Sequence, residues 1–236
     1  MLSFVTFYEF NYLPSKKELS IVSYNIHSGL DKHMFPTLYD TMNFLKNLDA
    51  DIICLQEVNE SSKAGFQVSS FKEELNMYSY FGANVLKSGN NYGLSIHSKY
   101  PIKYENHIYL TSKKEQRGML HTTISIKGKK IDIINLHLGL SYEEQTVQID
   151  EMLEYLKRLD NPYIVVGDFN AYNLDIDEGI LLDAAKETGN SNTLTLQAGL
   201  ERIDYIFVSP KIDIIDYEVL IESMSDHYPI KAKIKF

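Results

Sequence analysis

The stretch Tyr163-Ile164-Val165-Val166-Gly167-Asp168-Phe169-Asn170 carries the pattern that organises the whole chain. Its first four residues, β-branched or aromatic, read as a buried strand. The run then reaches a glycine, which permits tight backbone, and delivers a carboxylate and an amide two residues apart. The same succession recurs four times. Ile21-Val22-Ser23-Tyr24 ends in Asn25, and Ile52-Ile53-Cys54-Leu55 ends in Gln56-Glu57. Ile131-Asp132-Ile133-Ile134 runs through Asn135 to His137, and Ser225-Asp226-His227 precedes the last strand-like segment. One such ending is an ordinary solvated strand terminus. Five of them imply a sheet edge that gathers carboxylates, amides and imidazoles into an oxygen-rich pocket.

Between these runs the strand signal is dense. Leu19–Tyr24, Asp51–Leu55, Tyr78–Leu86, Tyr92–His97, Met119–Ile126, Lys130–Leu138, Tyr163–Val166, Ile203–Val208, Ile212–Leu220 and Pro229–Phe236 all read as strands. Ile124, Ile126, Ile131 and Ile133 flank Lys127-Gly128-Lys129-Lys130, which predicts an antiparallel hairpin with one buried face. Three helices are expected: Ser141 to Leu159, opened by a Ser141/Glu144 capping box; Pro36 to Leu48, with Leu38, Met42, Leu45 and Leu48 inward; and Asp175 to Lys186. Many strands and few helices predict two sheets packed together with helices outside. No linker, repeat or low-complexity stretch divides the chain, so residues 19–236 read as one domain.

Composition narrows the function classes. The chain has 236 residues, 44% hydrophobic and 23% charged, as in ordinary globular proteins. Its one cysteine, Cys54, lies in an apolar run; this rules out an intrachain disulfide framework or a cysteine-based zinc site. The net charge of −9 disfavours sequence-independent coating of nucleic acid, yet bound cations can invert the field for a phosphate-bearing substrate. Residues 1–18 begin with an aromatic, apolar stretch. It is shorter than the roughly 20 residues a membrane span needs and lacks a basic lead. We read it as an arm or edge segment, the remnant of an anchored parent being the alternative. The chain as given is expected in the cytoplasm, with a membrane-associated or exported parent as the other possibility.

Taken in order, Tyr24-Asn25-Ile26-His27, Leu55-Gln56-Glu57-Val58, Asn135-Leu136-His137, Gly167-Asp168-Phe169-Asn170, Arg202-Ile203-Asp204-Tyr205-Ile206 and Ser225-Asp226-His227 resemble the motifs of the endonuclease/exonuclease/phosphatase superfamily, the DNase I-like fold. The resemblance runs from Leu19 to Phe236. It implies a four-layer α/β sandwich of two facing, mainly antiparallel sheets, with Mg²⁺ or Mn²⁺ at one edge. It also assigns Asp168 and Asn170 to holding the attacking water and a phosphate oxygen.

Chemistry supplies the remaining expectations. Glu57 is a hard ligand suited to Mg²⁺, with Asn25 and Asp226 completing or buttressing the metal site. His227 is expected as base or proton relay, oriented by Asp204, while His137 would donate to a phosphate oxygen or protonate the leaving oxygen. For His27 a phosphate contact and a structural role stand even. Arg117 reads as a surface residue that could meet phosphate, and His33, His97, His107 and His121 read as structural. Asp175, Asp177 and Gly179 only superficially resemble a calcium loop, because the glycine offset and final glutamate are wrong.

The expected reaction is metal-dependent hydrolysis of a phosphodiester in a small molecule or lipid headgroup. A nuclease gripping a strand through Lys127-Gly128-Lys129-Lys130 and an inactive binding scaffold are the alternatives. No protein partner is evident from the sequence.

Overall fold

The computed structural model describes residues 18–62, 65–87, 89–176, 179–199 and 201–236. Most of the segment expected to form an N-terminal arm therefore lies outside the described residues. Thirteen strands occur among those described: β1 (Glu18–Asn25), β2 (Ile52–Ser61), β3 (Gly65–Phe66), β4 (Tyr78–Lys87), β5 (Asn90–Ser98), β6 (Ile102–Tyr109), β7 (Gly118–Ile126), β8 (Lys129–His137), β9 (Tyr163–Asp168), β10 (Leu182–Asp183), β11 (Asp204–Val208), β12 (Asp213–Val219) and β13 (Ile230–Lys235). The α-helices are α1 (Leu38–Leu48), α2 (Gln67–Leu75), α3 (Tyr142–Leu156) and the single-turn α4 (Ala184–Glu187).

One sheet has the order β12-β13-β1-β2-β5-β4, with β3 paired to β2; the other runs β10-β11-β9-β8-β7-β6. Alternation along each strand explains the layers. In β1, Leu19 and Ile21 face the other sheet, while Val22 and Tyr24 face helices. Between the sheets, Ile21, Ile52, Cys54 and Ile96 share a core with Ile124, Ile131, Ile133 and Val166. Outside the first sheet, Leu45 of α1 and Phe71 of α2 cover Ile53 and Leu55. Outside the second, Met152, Leu153 and Leu156 of α3 cover Ile134, Leu136 and Val165. Four layers result, as expected. Cys54 is fully buried as a free thiol between the sheets.

The β7–β8 hairpin forms around Lys127 and Gly128, both with positive φ (50° and 84°), which matches the right-handed twist of its strands. Its second face is buried too, because α3 lies over it. The Ser141 cap is present at 3.3 Å from the Glu144 N–H, but the Glu144 carboxylate accepts the Lys113 N–H at 2.6 Å. Helix α1 starts at Leu38, since Pro36 is engaged in a bridge with Leu30.

The helix expected over Asp175–Lys186 is not formed as such. Gly179 takes a positive φ of 67°, and the side chains of Ile180 and Leu181 pack on the core beneath α3. Asp183 caps only the short α4 through the Ala185 N–H at 3.0 Å.

Two β-α-β units stand at the centre of this arrangement. The β1-α1-β2 unit has a parallel strand pair in one sheet, and β8-α3-β9 has one in the other. In register, Asn25 lies beside Gln56, and His137 lies beside Asp168. The two units thus deliver their strand ends to one common edge.

Candidate active site

Glu57 owes its position to a break in the ladder. The β2–β5 register shifts between Leu55 and Val58, and Glu57 has a left-handed φ of 59°. Such a backbone costs about 1–3 kcal/mol for a residue with a side chain, a cost typical of functional positions. The result is a half-buried carboxylate beside the end of β1. The Tyr92 hydroxyl lies next to it; burial, and then the Glu57 charge, push that phenol well above its usual range.

Asn25, fully buried, joins the two sheets. Its Nδ2 donates to Glu57 Oε1 at 3.0 Å and to Asp168 Oδ2 at 3.0 Å, and lies 3.5 Å from His227 Nε2. Its Oδ1 accepts the His27 N–H at 3.0 Å. Behind this contact, Gln56 donates to Ser23 Oγ at 3.0 Å and to Asn135 Oδ1 at 2.7 Å. Asn135 in turn donates to the carbonyls of Leu55 and Ser95, so the sheets are stitched by polar bonds just below the site.

Gly167 has a φ of 148°, and a Cβ there would meet the Leu136 carbonyl oxygen at 2.0 Å. This close approach presents Asp168 at the edge. The Asn170 N–H donates to Asp168 Oδ1 at 2.8 Å. Oδ2 is left facing Asn25, His137 Nε2 at 3.4 Å and His227 Nε2 at 3.7 Å. Burial, reinforced by Asp204 and opposed by His227 and the Asn25 and Asn170 hydrogen bonds, raises the Asp168 carboxyl above the usual range.

Asp204 Oδ2 lies 2.9 Å from His227 Nδ1. Both are held in place: the Asp204 N–H donates to Thr195 Oγ1, and the His227 N–H donates to Ser225 Oγ. Burial alone would strip a proton from this imidazole. The charges of Asp204 and then Asp168 outweigh it and carry its pKa up to about 10. His137 is opposite in character. Burial, the Arg117 guanidinium and His227 hold it well below the usual range, and so neutral. Arg117 Nη1 sits 3.1 Å from His137 Nδ1 and 2.9 Å from Glu115 Oε1.

A family model described as Endonuclease/Exonuclease/phosphatase family matches residues 22–227, which include every one of these side chains. The chain belongs to that family. The YbhP protein of Escherichia coli (strain K12) is 28% identical over 243 residues, 91% of this chain and 95% of its own length. Among solved structures, the endonuclease/exonuclease/phosphatase from Beutenbergia cavernae superposes with a TM-score of 0.81 at 19% identity, covering 93% of this chain and 72% of its own. The Bacteroides thetaiotaomicron mannosyl-6-phosphatase Bt3783 superposes with a TM-score of 0.74 at 19% identity, covering 92% of this chain and all of its own. At such identities these structures establish the fold and nothing finer.

Of the residues expected from sequence, Asn25, Glu57, His137, Asp168, Asp204 and His227 converge at one sheet edge. Asn170 stands beside them, its side chain donating to the Leu138 carbonyl at 3.0 Å. Asp226 is not drawn into the carboxylate cluster. It lies at the rim, 31% exposed, with Oδ1 3.7 Å from His27 Nδ1 and 3.2 Å from Ser225 Oγ, because its neighbour His227 takes the inward position. His97, His107 and His121 are bonded to Ser79, Asn84 and Tyr155.

Arg117 corrects the surface reading: it is buried at the site, because Gly118 pairs in register with His137 and brings its predecessor alongside. Arg202 forms a buried bidentate pair with Asp183, which leaves Asp204 free for His227. Gln145 and Gln148 were missed. They clamp the site loops from α3, Gln145 donating to the Gly139 and Asn170 carbonyls and Gln148 accepting the Gly139 N–H. Their signal was present in the sequence: two glutamines, three apart, on the stripe that continues as Met152.

Proposed function

We propose that this protein is a divalent-metal-dependent phosphodiesterase that attacks phosphorus with an activated water. The convergence of Asn25, Glu57 and Asp168 from facing sheets, beside a charged His227–Asp204 pair, carries the reading. Family membership supports it, since members are for the most part hydrolases of phosphoester bonds.

The donor set fits a hard cation. Glu57, His137 and Asp168 offer ligand atoms all within 4.8 Å of one another, and the Asn25 amide spans the two carboxylates. Glu57, with Asp168 at its side, would hold Mg²⁺ or Mn²⁺, and Asn25, whose Nδ2 donates to both carboxylates, would orient them. Asp168, Asp204 and His227 are also close enough, but there the imidazolium proton already supplies the positive charge. Such an ion, when bound there, would supply polarisation of a phosphoryl oxygen and would offset charge building on phosphorus and the leaving group.

Asp168 Oδ2 is the basic oxygen of the site. Its raised pKa suits a carboxylate that takes a proton from water near neutral pH. His227, protonated and oriented by Asp204, directs its Nε2–H toward a phosphoryl oxygen. Of the two roles expected of His227, base or proton relay, its retained proton favours the relay. Arg117 adds a second cation against the same group, neutral His137 can donate a hydrogen bond to a phosphate oxygen, and the proton that Asp168 takes from water is the one available to the leaving oxygen.

The nuclease alternative relied on Lys127–Lys130, which span the β7–β8 turn and the first residues of β8, whereas His137 ends that strand. Eight residues of strand separate them by about 26 Å. A small or lipid-derived phosphodiester suits both this geometry and the net charge of −9. The inactive-scaffold alternative has no substituted position in its favour, since each expected acid, amide and imidazole is present.

The test is a Mg²⁺-supplemented screen of sphingomyelin, phosphatidylinositols, cyclic nucleotides, single-stranded DNA and plasmid, at low and moderate salt. Salt-insensitive turnover of a small or lipid diester is expected. Preferential cleavage of plasmid, falling steeply with salt, would overturn the choice of substrate class.

A further inference from the structure

A cavity of about 540 Å³, within the range of small-molecule sites, lies outside the catalytic cluster, none of whose side chains lines it. Its walls are the segments that continue from the catalytic residues. Tyr172 and Asn173 follow Asn170, Ser191 and Asn192 lie just before Thr195, and Glu201 and Arg202 precede Asp204. Because β9 and β11 pair Asp168 with Asp204, both loop clusters emerge at the edge where the reaction is placed.

We propose that this cavity seats the polyhydroxylated ring, a sugar or cyclitol, of a phosphoester substrate; the assignment rests on the phosphoesterase reading above. Three observations argue for a neutral polyol. First, the cations at the cavity are already matched: Lys186 meets Asp175 at 2.6 Å, and Arg202 meets Asp183 through two bonds of 3.0 and 2.6 Å. A second anionic group would find no unpaired cation there among the described residues and would meet Glu201. Second, the side chains of Asn173, Ser191, Asn192 and Glu201 make no hydrogen bond to another described residue, so donors and acceptors of both kinds face the space. A quaternary ammonium group would leave these amides unpaired; vicinal hydroxyls pair with them. Third, Tyr172 is 62% exposed at the mouth and offers an aromatic face for the C–H side of a ring.

The experiment compares kcat/KM for glycerophosphoinositol and glycerophosphocholine on wild type, Tyr172→Ala and Asn192→Ala, with bis(p-nitrophenyl) phosphate as reference. At least about tenfold preference for the inositol diester is expected, reduced toward unity in both variants mainly through KM. Equal use of the two diesters, a preference for choline, or a preference untouched by the variants would overturn the polyol site. Failure to hydrolyse even the reference diester with Mg²⁺ or Mn²⁺ would instead defeat the phosphoesterase reading. In that event saturation-transfer NMR with myo-inositol decides the cavity: transfer lost in Tyr172→Ala supports the site, and no transfer to wild type overturns it.

Discussion

Asp204 Oδ2 and His227 Nδ1 meet at 2.9 Å where both side chains are almost wholly buried, and Asp168 Oδ2 stands 3.7 Å from the other ring nitrogen. An imidazole between two carboxylates keeps its proton. In metal-free protein at pH 8, nitrogen-edited NMR should show His227 still protonated. Asp204→Asn should bring the titration of His227 down toward 6.5. His227→Ala should lower turnover by at least about 10²-fold, the lower end for lost proton transfer or donation.

The same pair dictates a pH dependence of stability. The folded-state pKa of His227, about 10, exceeds its ordinary 6.5, so the folded protein binds this proton more tightly than the unfolded chain. The contribution is complete below pH 6.5 and is lost as pH rises toward 10. Denaturation of chelated protein should therefore give a stability that declines between pH 7 and 10, and Asp204→Asn should flatten that decline.

Burial keeps the His137 ring neutral, and the Arg117 guanidinium pressed against it adds to the effect. Arg117→Gln should raise the pKa of His137 and lower kcat by about tenfold or more, since a charge-assisted contact to the phosphoryl group is lost with it. A variant with unchanged His137 titration and unchanged kcat would remove Arg117 from the site.

Between the sheets, the Gln56 amide donates to Asn135 Oδ1 at 2.7 Å with no solvent access. Asn135→Leu leaves the Gln56 amide with Ser23 Oγ as its remaining acceptor and should cost about 1–3 kcal/mol in urea denaturation. The double variant with Gln56→Leu should recover part of the loss.

The fold was legible where apolar runs are long and end abruptly. Strands β1, β2, β8 and β9 and their terminal residues could be read directly, and these are the strands of the two β-α-β units. Other elements were hidden by weak patterns. Strand β6 lies at a sheet edge with Lys103, Tyr104 and Glu105 exposed, so its alternation is blunted. Helix α2 buries only Val68 and Phe71 beyond its first residue, too few to stand out from its serines and glutamates.

At the site, residue identity was legible and residue state was not. Nothing in the sequence distinguishes a base from an imidazolium. The proton on His227 follows from Asp168 and Asp204 approaching it from strands 36 positions apart in sequence. The inward turn of His227, which leaves Asp226 at the rim, likewise depends on the bridge between Leu196 and His227.

The central claim is that Glu57 and its neighbours form a metal-dependent hydrolytic centre. Turnover of bis(p-nitrophenyl) phosphate by chelated protein, titrated with Mg²⁺ or Mn²⁺ and compared with Glu57→Gln, tests it most directly. The expected result is no turnover after chelation, saturable recovery with metal, and at least about 10²-fold loss in a folded Glu57→Gln variant. Turnover that survives complete chelation, or a Glu57→Gln variant as active as wild type, would contradict it.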